Sequence, residues 1–437
     1  MTHNRGIGRK ILALALPALG ALIAEPLFLM ADTAIVGHLG VSELAGAGLG
    51  TAVVHTTVGL MIFLAYSTTP AVARHFGAKR LADAYASGRD GVWLALLLGA
   101  ILAVLGWIAA PWLVSLMGGH DDVAHFAIDY IRWSMPGLPA MLMVLAATGV
   151  LRGLQDTKTP LYVATVGFGV NILLNLLFVY GLGLSVAGSA MGTSITQWGM
   201  AAVYLWMLVP RALSHGVPLA PTWHGVLGMA HVGGWLMLRT LSLRVGILAT
   251  VFVATVHGAA TLAAHQVIFT LFTFMAFALD ALAIAAQALI GKELGAGDVA
   301  EVRSLTRVMT RWGVYFGVFT GVVLAIAAPF VGGLFSGDPA VQSLVTLGVW
   351  VLAASQPLCG VVFVLDGVLI GAGDARYLAL AGLIALAVYA PLLWLASFAT
   401  AGAQAIVAIW LAFALGYMAA RAATLWFRAR TDSWMKI

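Results

Sequence analysis

Four carboxylates stand inside long apolar runs of the chain: Glu25, Asp32, Asp280 and Asp366. An ionisable group at membrane depth is costly, so each is a functional candidate by default. Arg239 and Arg244 are the cations placed in the same way. Glu25 and Asp32 lie seven residues apart, two helical turns, which sets them on one face about 10.5 Å apart along the axis. Pro26 stands between them. A proline removes one helical hydrogen bond and crowds the carbonyl four residues back, here that of Leu22, so a bend is expected beside these acids. Asn171 and Asn175 share a face at i,i+4, and Thr193 and Thr196 follow on the next apolar run. One carboxylate, two amide oxygens and a hydroxyl form a hard-oxygen shell for a small cation. The competing reading is that Asn and Thr only join helices by hydrogen bonds. Asp32 bears on the choice, because an unpaired intramembrane carboxylate needs a proton or a cation.

Composition decides what positions these groups. Of 437 residues, 62% are hydrophobic and 9% charged, with a mean hydropathy of +1.01. A soluble domain carries roughly 25% charged residues, and no globule could hide this apolar excess from water. The chain therefore reads as an all-α membrane protein, each span taking about 20 apolar residues. Disorder, a nucleic-acid-binding module and a disulfide scaffold are excluded. The one cysteine, Cys359, has no internal partner and reads as a small core residue.

Twelve apolar runs extend from 11–36 to 403–427. With the N-terminus cytoplasmic, 19 of the 22 Lys and Arg residues fall on the cytoplasmic side, from Arg5, Arg9 and Lys10 to Arg421, Arg428, Arg430 and Lys436. The opposite loops hold Glu43, Asp121, Asp122 and Asp338. This is the positive-inside pattern. The net charge of +5 thus reports topology and contact with anionic lipid rather than a nucleic-acid partner. Both termini are expected in the cytoplasm, and the first run is too long for a signal peptide. Segments 71–90 and 291–311 read as amphipathic connectors. Asp129 and Arg132 are expected to pair at i,i+3.

At an offset of 218 residues, Gly149 to Asp156 (GVLRGLQD) aligns with Gly367 to Asp374 (GVLIGAGD), and Gly40 with Gly258 and Gly77-Ala78 with Gly295-Ala296. The offset is half the chain, which points to duplication. Six spans per half is an even number, so the halves enter from the same side and relate by an axis along the membrane normal. The expected organisation is an N-lobe over 1–209, a proline-bearing cytoplasmic linker over 210–232, and a C-lobe over 233–437. Two parallel-related bundles are the layout of an alternating-access transporter. The chain has no HExxH, GxSxG or P-loop motif, so an ion gradient rather than ATP is the expected driving force, with no cofactor and no enzymatic activity. A monomer is expected, since a channel would more often be an oligomeric ring.

Several segments together resemble the multidrug and toxic compound extrusion (MATE) family, and most closely its DinF-type branch. They are Pro26 to Gly40 (PLFLMADTAIVGHLG), Leu151 to Thr157 (LRGLQDT), the Asn171/Asn175 pair, and Ala278 to Ala281 (ALDA) running into Ala286 to Gly291 (AQALIG). The resemblance covers essentially the whole chain. It implies twelve helices in two lobes around a V-shaped cleft, in the cytoplasmic membrane of a prokaryote. The implied activity is export of amphipathic, often cationic, compounds against protons or sodium ions. It places the coupling acid on Asp32, with Asn171, Asn175 and Thr193 as companions for a proton or a sodium ion. The position of Asn175 is acidic in some relatives, and its neutrality here weakens sodium relative to protons. In some members a C-lobe sodium site uses an acid on the seventh span. Arg239 and Arg244 stand there instead, so that site is expected to be absent or altered.

Protonation of Asp32 is expected to let the first span bend at Pro26, reshape the cavity and release substrate. Glu25 either pairs with Arg239 or Arg244 or serves substrate or proton binding. Asp280 is expected to bridge to Arg244, and Asp366 remains a candidate for a charge network. Aromatic residues such as Phe28, Phe168 and Tyr180 are mostly packing or lipid-facing. A flippase for lipids or lipid-linked precursors is the alternative; it would need deep basic residues for phosphate, a role open only to Arg239 and Arg244.

Overall fold

The computed structural model of the chain describes residues 2–435, with side chains from Gly6 onward. Lys436 and the side chain of Arg5, both used above for topology, lie outside the described residues. Twelve helical stretches follow one another, and among the described residues there is no strand. The first six are α1 (Thr2–Gly37), α2 (Val41–Gly77), α3 (Leu81–Leu116), α4 (Asp121–Gly153), α5 (Lys158–Gly181) and α6 (Ser185–Ser214). The second six are α7 (Trp223–Val256), α8 (Ala259–Gly295), α9 (Val299–Phe335), α10 (Pro339–Gly371), α11 (Ala375–Ala396) and α12 (Ala403–Arg430). Eleven of them are long and apolar enough to cross a membrane. The exception is α6, whose Ser189, Thr193, Ser194, Thr196 and Gln197 dilute its apolar residues.

The repeat seen in the sequence recurs in the helix boundaries. Gly77 and Gly295 end α2 and α8, Leu81 and Val299 start α3 and α9, and α4 and α10 begin at 121 and 339 and end at 153 and 371, each pair 218 apart. Helices often end on a left-handed residue that lets the last carbonyls find donors. Lys79 (φ 59°) and Gln155 (φ 66°) do this in the first half, and Gly297 and Gly373 (both φ 74°) at the same offset in the second. The helices therefore run through 71–90 and 291–311, which are not separate connectors; only the turns 78–80 and 296–298 interrupt them. The charged residues there are compatible with helix, because the ends of long spans reach beyond the apolar layer.

Packing divides the chain into two compact units. One is Leu16–Gly233; the other takes the segment through Ala15 together with the chain from Gly234 onward. Between α6 and α7 only residues 215–222 leave the helix, because Pro210 is accommodated inside α6. That segment is pinned to α3. Buried Asp90 accepts from the Thr222 backbone N–H at 2.9 Å and its hydroxyl at 2.5 Å, Arg89 donates to the Pro218 carbonyl at 2.8 Å, and Trp93 to that of Leu219 at 2.9 Å. In the other unit α9 and α10 approach backbone to backbone. A Cβ at Gly313, Gly317 or Gly321 would meet the carbonyls of Gly360, Gln356 and Ala353, the small-residue seam by which membrane helices pack without a hydrophobic drive.

Candidate functional site

Three helices of the Leu16–Gly233 unit bring their polar residues to one point. On α5, Asn171 and Asn175 occupy one face, and on α6, Ser189 and Thr193 do the same at the same spacing. Asn171 Nδ2 donates to Thr193 Oγ1 at 3.1 Å, and Asn175 Nδ2 donates to Asn171 Oδ1 at 2.9 Å. The ladder ends on α1: Asp32 Oδ1 accepts from Asn175 Nδ2 at 2.7 Å and from the Ser189 hydroxyl at 2.5 Å. Asp32 retains only 6% of its exposure, and Asn175 and Ser189 none. Thr196 is not part of the ladder, since its hydroxyl returns to the Gly192 carbonyl of its own helix at 2.8 Å.

The backbone is shaped around this ladder. Gly192 faces Asn175, whose Oδ1 occupies the place a Cβ would take. Directly after Asn175 the helix widens into a π-turn over Leu177–Gly181, a local form frequent at functional sites. Tyr180, within that turn, donates to the Ile35 carbonyl on α1 at 2.5 Å. Phe28 stacks on Phe168 with centroids 5.0 Å apart. Phe28, Asp32 and Ile35 lie on one face of α1, so three successive contacts clasp α1 to α5. α1 remains helical through Pro17 and Pro26.

The donor and acceptor inventory narrows the chemistry. Asp32 Oδ1, Asn171 Oδ1 and Thr193 Oγ1 already accept internal hydrogen bonds. Asn175 Oδ1 is buried with no donor. The four oxygens read from the sequence as a cation shell are thus brought together, yet most are engaged with each other. Two neutral donors aim at one carboxylate oxygen, and both bonds are charge-assisted while Asp32 is ionised.

In the other unit Asp366 on α10 takes two guanidinium groups. Arg239 on α7 donates through Nε to Oδ1 at 3.2 Å and through Nη2 to Oδ2, and Arg421 on α12 donates through Nη2 to Oδ1. Arg421, counted among the cytoplasmic charges in the sequence although it falls inside the run 403–427, is buried, because it turns inward from α12 to Asp366. Arg244 is exposed and joins no ion pair among the described residues, so the expected Arg244–Asp280 bridge does not form. Asp280 is half-buried on α8 and has contacts of its own. Glu25 is exposed and likewise outside any ion pair among the described residues. Asp129 lies 3.5 Å from His125 rather than pairing with Arg132, since i,i+4 is as close on a helix as i,i+3.

Two polar residues of note escaped the sequence reading. Ser189 was recognisable as the position one turn before Thr193, matching the spacing of the two asparagines. His265 on α8 is buried against Phe269 and Trp410 with neither ring nitrogen bonded, and a lone histidine in an apolar run carries no local signal of this.

The MatE family model matches residues 17–177 and 239–395. The chain is 30% identical over 398 residues to Protein DETOXIFICATION 45, chloroplastic, of Arabidopsis thaliana, a match spanning 85% of this chain and 70% of that protein. It is 30% identical over 370 residues to the DNA damage-inducible protein F of Escherichia coli, spanning 83% of this chain and 80% of that one. Among solved structures it is similar to the Vibrio cholerae MATE transporter VcmN in the bent form, with a TM-score of 0.87 and 20% identity over the whole of both chains.

Proposed function

The chain belongs to the MatE family of multidrug and toxin efflux transporters, and from that premise we propose that it exports amphipathic, cationic small molecules in exchange for protons, with Asp32 as the coupling carboxylate. The observation that carries this reading is the neutrality of everything bonded to Asp32. Its hydrogen-bond partners are an amide and a hydroxyl, so its charge is left for a proton or a cationic substrate to cancel. Sodium is the weaker reading, because Asp32 Oδ1, Asn171 Oδ1 and Thr193 Oγ1, three of the four oxygens it would need, already accept internal hydrogen bonds.

Ionised Asp32 holds Asn175 and Ser189 by bonds worth about 1.5–3 kcal/mol each as charge-assisted contacts. A proton on the carboxylate weakens both and loosens the hold of α5 and α6 on α1. Pro26 leaves the Leu22 carbonyl without its helical donor and makes that turn the place where α1 yields. Proton and cationic substrate thereby compete for one negative charge, which is the condition for exchange rather than leak. The basic residues at the ends of the helices support an orientation with both termini in the cytoplasm, in the plasma membrane of a prokaryote. Of the two arginines a flippase would use for phosphate, Arg239 is bound to Asp366, which leaves Arg244 alone for that role.

Proteoliposomes loaded with a fluorescent lipophilic cation test the proposal. An imposed pH gradient should drive its exchange and a sodium gradient at clamped pH should not. Sodium-driven transport would overturn the proton assignment, and transport by Asp32→Asn at the wild-type rate would overturn the site.

A further inference from the structure

We propose that the groove between α9 and α12 is a binding site for an anionic phospholipid, separate from the Asp32 ladder. The groove encloses about 1000 Å³ and four arginines line it: Arg303, Arg307, Arg311 and Arg430. The first three repeat at i, i+4 and i+8, so they form one basic stripe along the first turns of α9. Arg303 is paired with Asp432 at 2.6 Å and Arg430 lies over the Trp426 ring at 5.0 Å. Arg307 and Arg311 are exposed and join no ion pair among the described residues, which leaves two charges for a ligand.

Behind the stripe the walls turn apolar, with Val314, Leu358, Leu365 and Phe427. A basic rim that gives way to an apolar wall along a membrane helix matches a phosphodiester headgroup followed by its acyl chains, and matches neither a free phosphate nor a nucleic acid. A second observation points to the same ligand. Trp434 lines the groove, is 2% exposed, and its indole Nε1 is buried with no hydrogen-bond partner. An unpaired buried donor is costly, and a turn of the Trp434 indole toward a bound phosphate or ester oxygen would give it an acceptor. Exposed Trp426 and Phe427 flank the site, as aromatic residues do at the level of lipid headgroups.

Native mass spectrometry of the purified full chain, in detergent with equimolar phosphatidylglycerol and phosphatidylcholine, tests this. The chain should retain phosphatidylglycerol in preference. Each arginine near an anionic lipid is worth about fivefold, so the Arg307→Gln/Arg311→Gln pair should lower that retention about 25-fold. Arg211→Gln, which removes an exposed charge from the other unit, should leave it unchanged. Trp434→Phe should weaken it by a smaller factor. Both replaced arginines are exposed, so a monodisperse elution profile like the wild type is expected and verifies folding. Equal retention of the two lipids would overturn the proposal, as would an unaltered preference in the double variant. Full displacement by excess glycerophosphate would overturn it too, by showing a site for phosphate alone.

Discussion

Asn175 Nδ2 donates to Asp32 Oδ1 at 2.7 Å while Asn175 Oδ1, in the same amide, is buried without a donor. The amide thus presents its nitrogen to the carboxylate and keeps its oxygen in reserve. That orientation suits an ionised Asp32, which only accepts. A protonated Asp32 has a hydrogen to give, and a flip of the Asn175 amide would offer it the idle oxygen of the residue that held it when charged.

Replacement of Asp32 by Asn preserves size and hydrogen bonding and removes the ability to cycle between charge states. Gradient-driven efflux should fall to background while the protein elutes as wild type, and substrate affinity should lose its dependence on pH across the neutral range. Asn175→Leu removes one charge-assisted donor, about 1.5–3 kcal/mol of hold on the carboxylate, and should slow exchange by tenfold or more. Initial efflux rates in proteoliposomes, normalised to protein, measure both.

Two glycines on α6 make a matched comparison. A Cβ at Gly192 would occupy the place of Asn175 Oδ1, whereas one at Gly199 would meet nothing within 4 Å. Gly192→Ala should therefore displace Asn175 from Asp32, lower stability by about 1–3 kcal/mol through overpacking, and impair transport. Gly199→Ala should be neutral or stabilising by up to about 1 kcal/mol, since alanine is the better helix former. Thermal melting and efflux together separate the two outcomes.

Asp366 accepts from two arginines of different helices, so its removal breaks contacts to both and leaves buried Arg421 without this carboxylate. Asp366→Ala should cost about 3–5 kcal/mol, the range for breaking a buried ion pair, and lower the melting temperature well below that of Asp32→Asn. A variant that melts as wild type while losing transport would instead make this cluster part of the transport chemistry.

The spans, the repeat and the face shared by Asn171 and Asn175 are legible because hydrophobic runs and i,i+4 spacing are local properties. The partners of Asp366 are not. Arg239 lies 127 residues away and Arg421 lies 55, and a basic residue near the end of a span reads as a topology charge until the helix that faces it is known. Arg239 and Arg244 look equivalent in sequence, yet five residues turn a helix by about 500°, so they point roughly 140° apart. One can face Asp366 only if the other faces away, which is why Arg244 is exposed.

The repeat also predicts where the first half carries strain that the second half lacks. Lys79 and Gln155 hold the left-handed conformation that Gly297 and Gly373 hold at the equivalent turns. For a residue with a Cβ that region costs roughly 1–2 kcal/mol, whereas glycine enters it freely. Part of the gain is returned because glycine is also freer in the unfolded chain. Gln155→Gly and Lys79→Gly should each stabilise the protein by about 0.5–1 kcal/mol. Both turns border one packed cluster, Val72 and Ala84 beside the first with Val150, Leu151 and Leu154 beside the second, so the double variant measures how far the two gains couple. In the Gln155 variant, α5 keeps its start, because Asp156 still accepts from the backbone N–H groups of Lys158 and Thr159 at 3.1 and 3.0 Å. Melting of the purified single and double variants measures the gain, and a loss of stability at both positions would mean that the lysine and glutamine side chains hold these turns by contacts stronger than the strain.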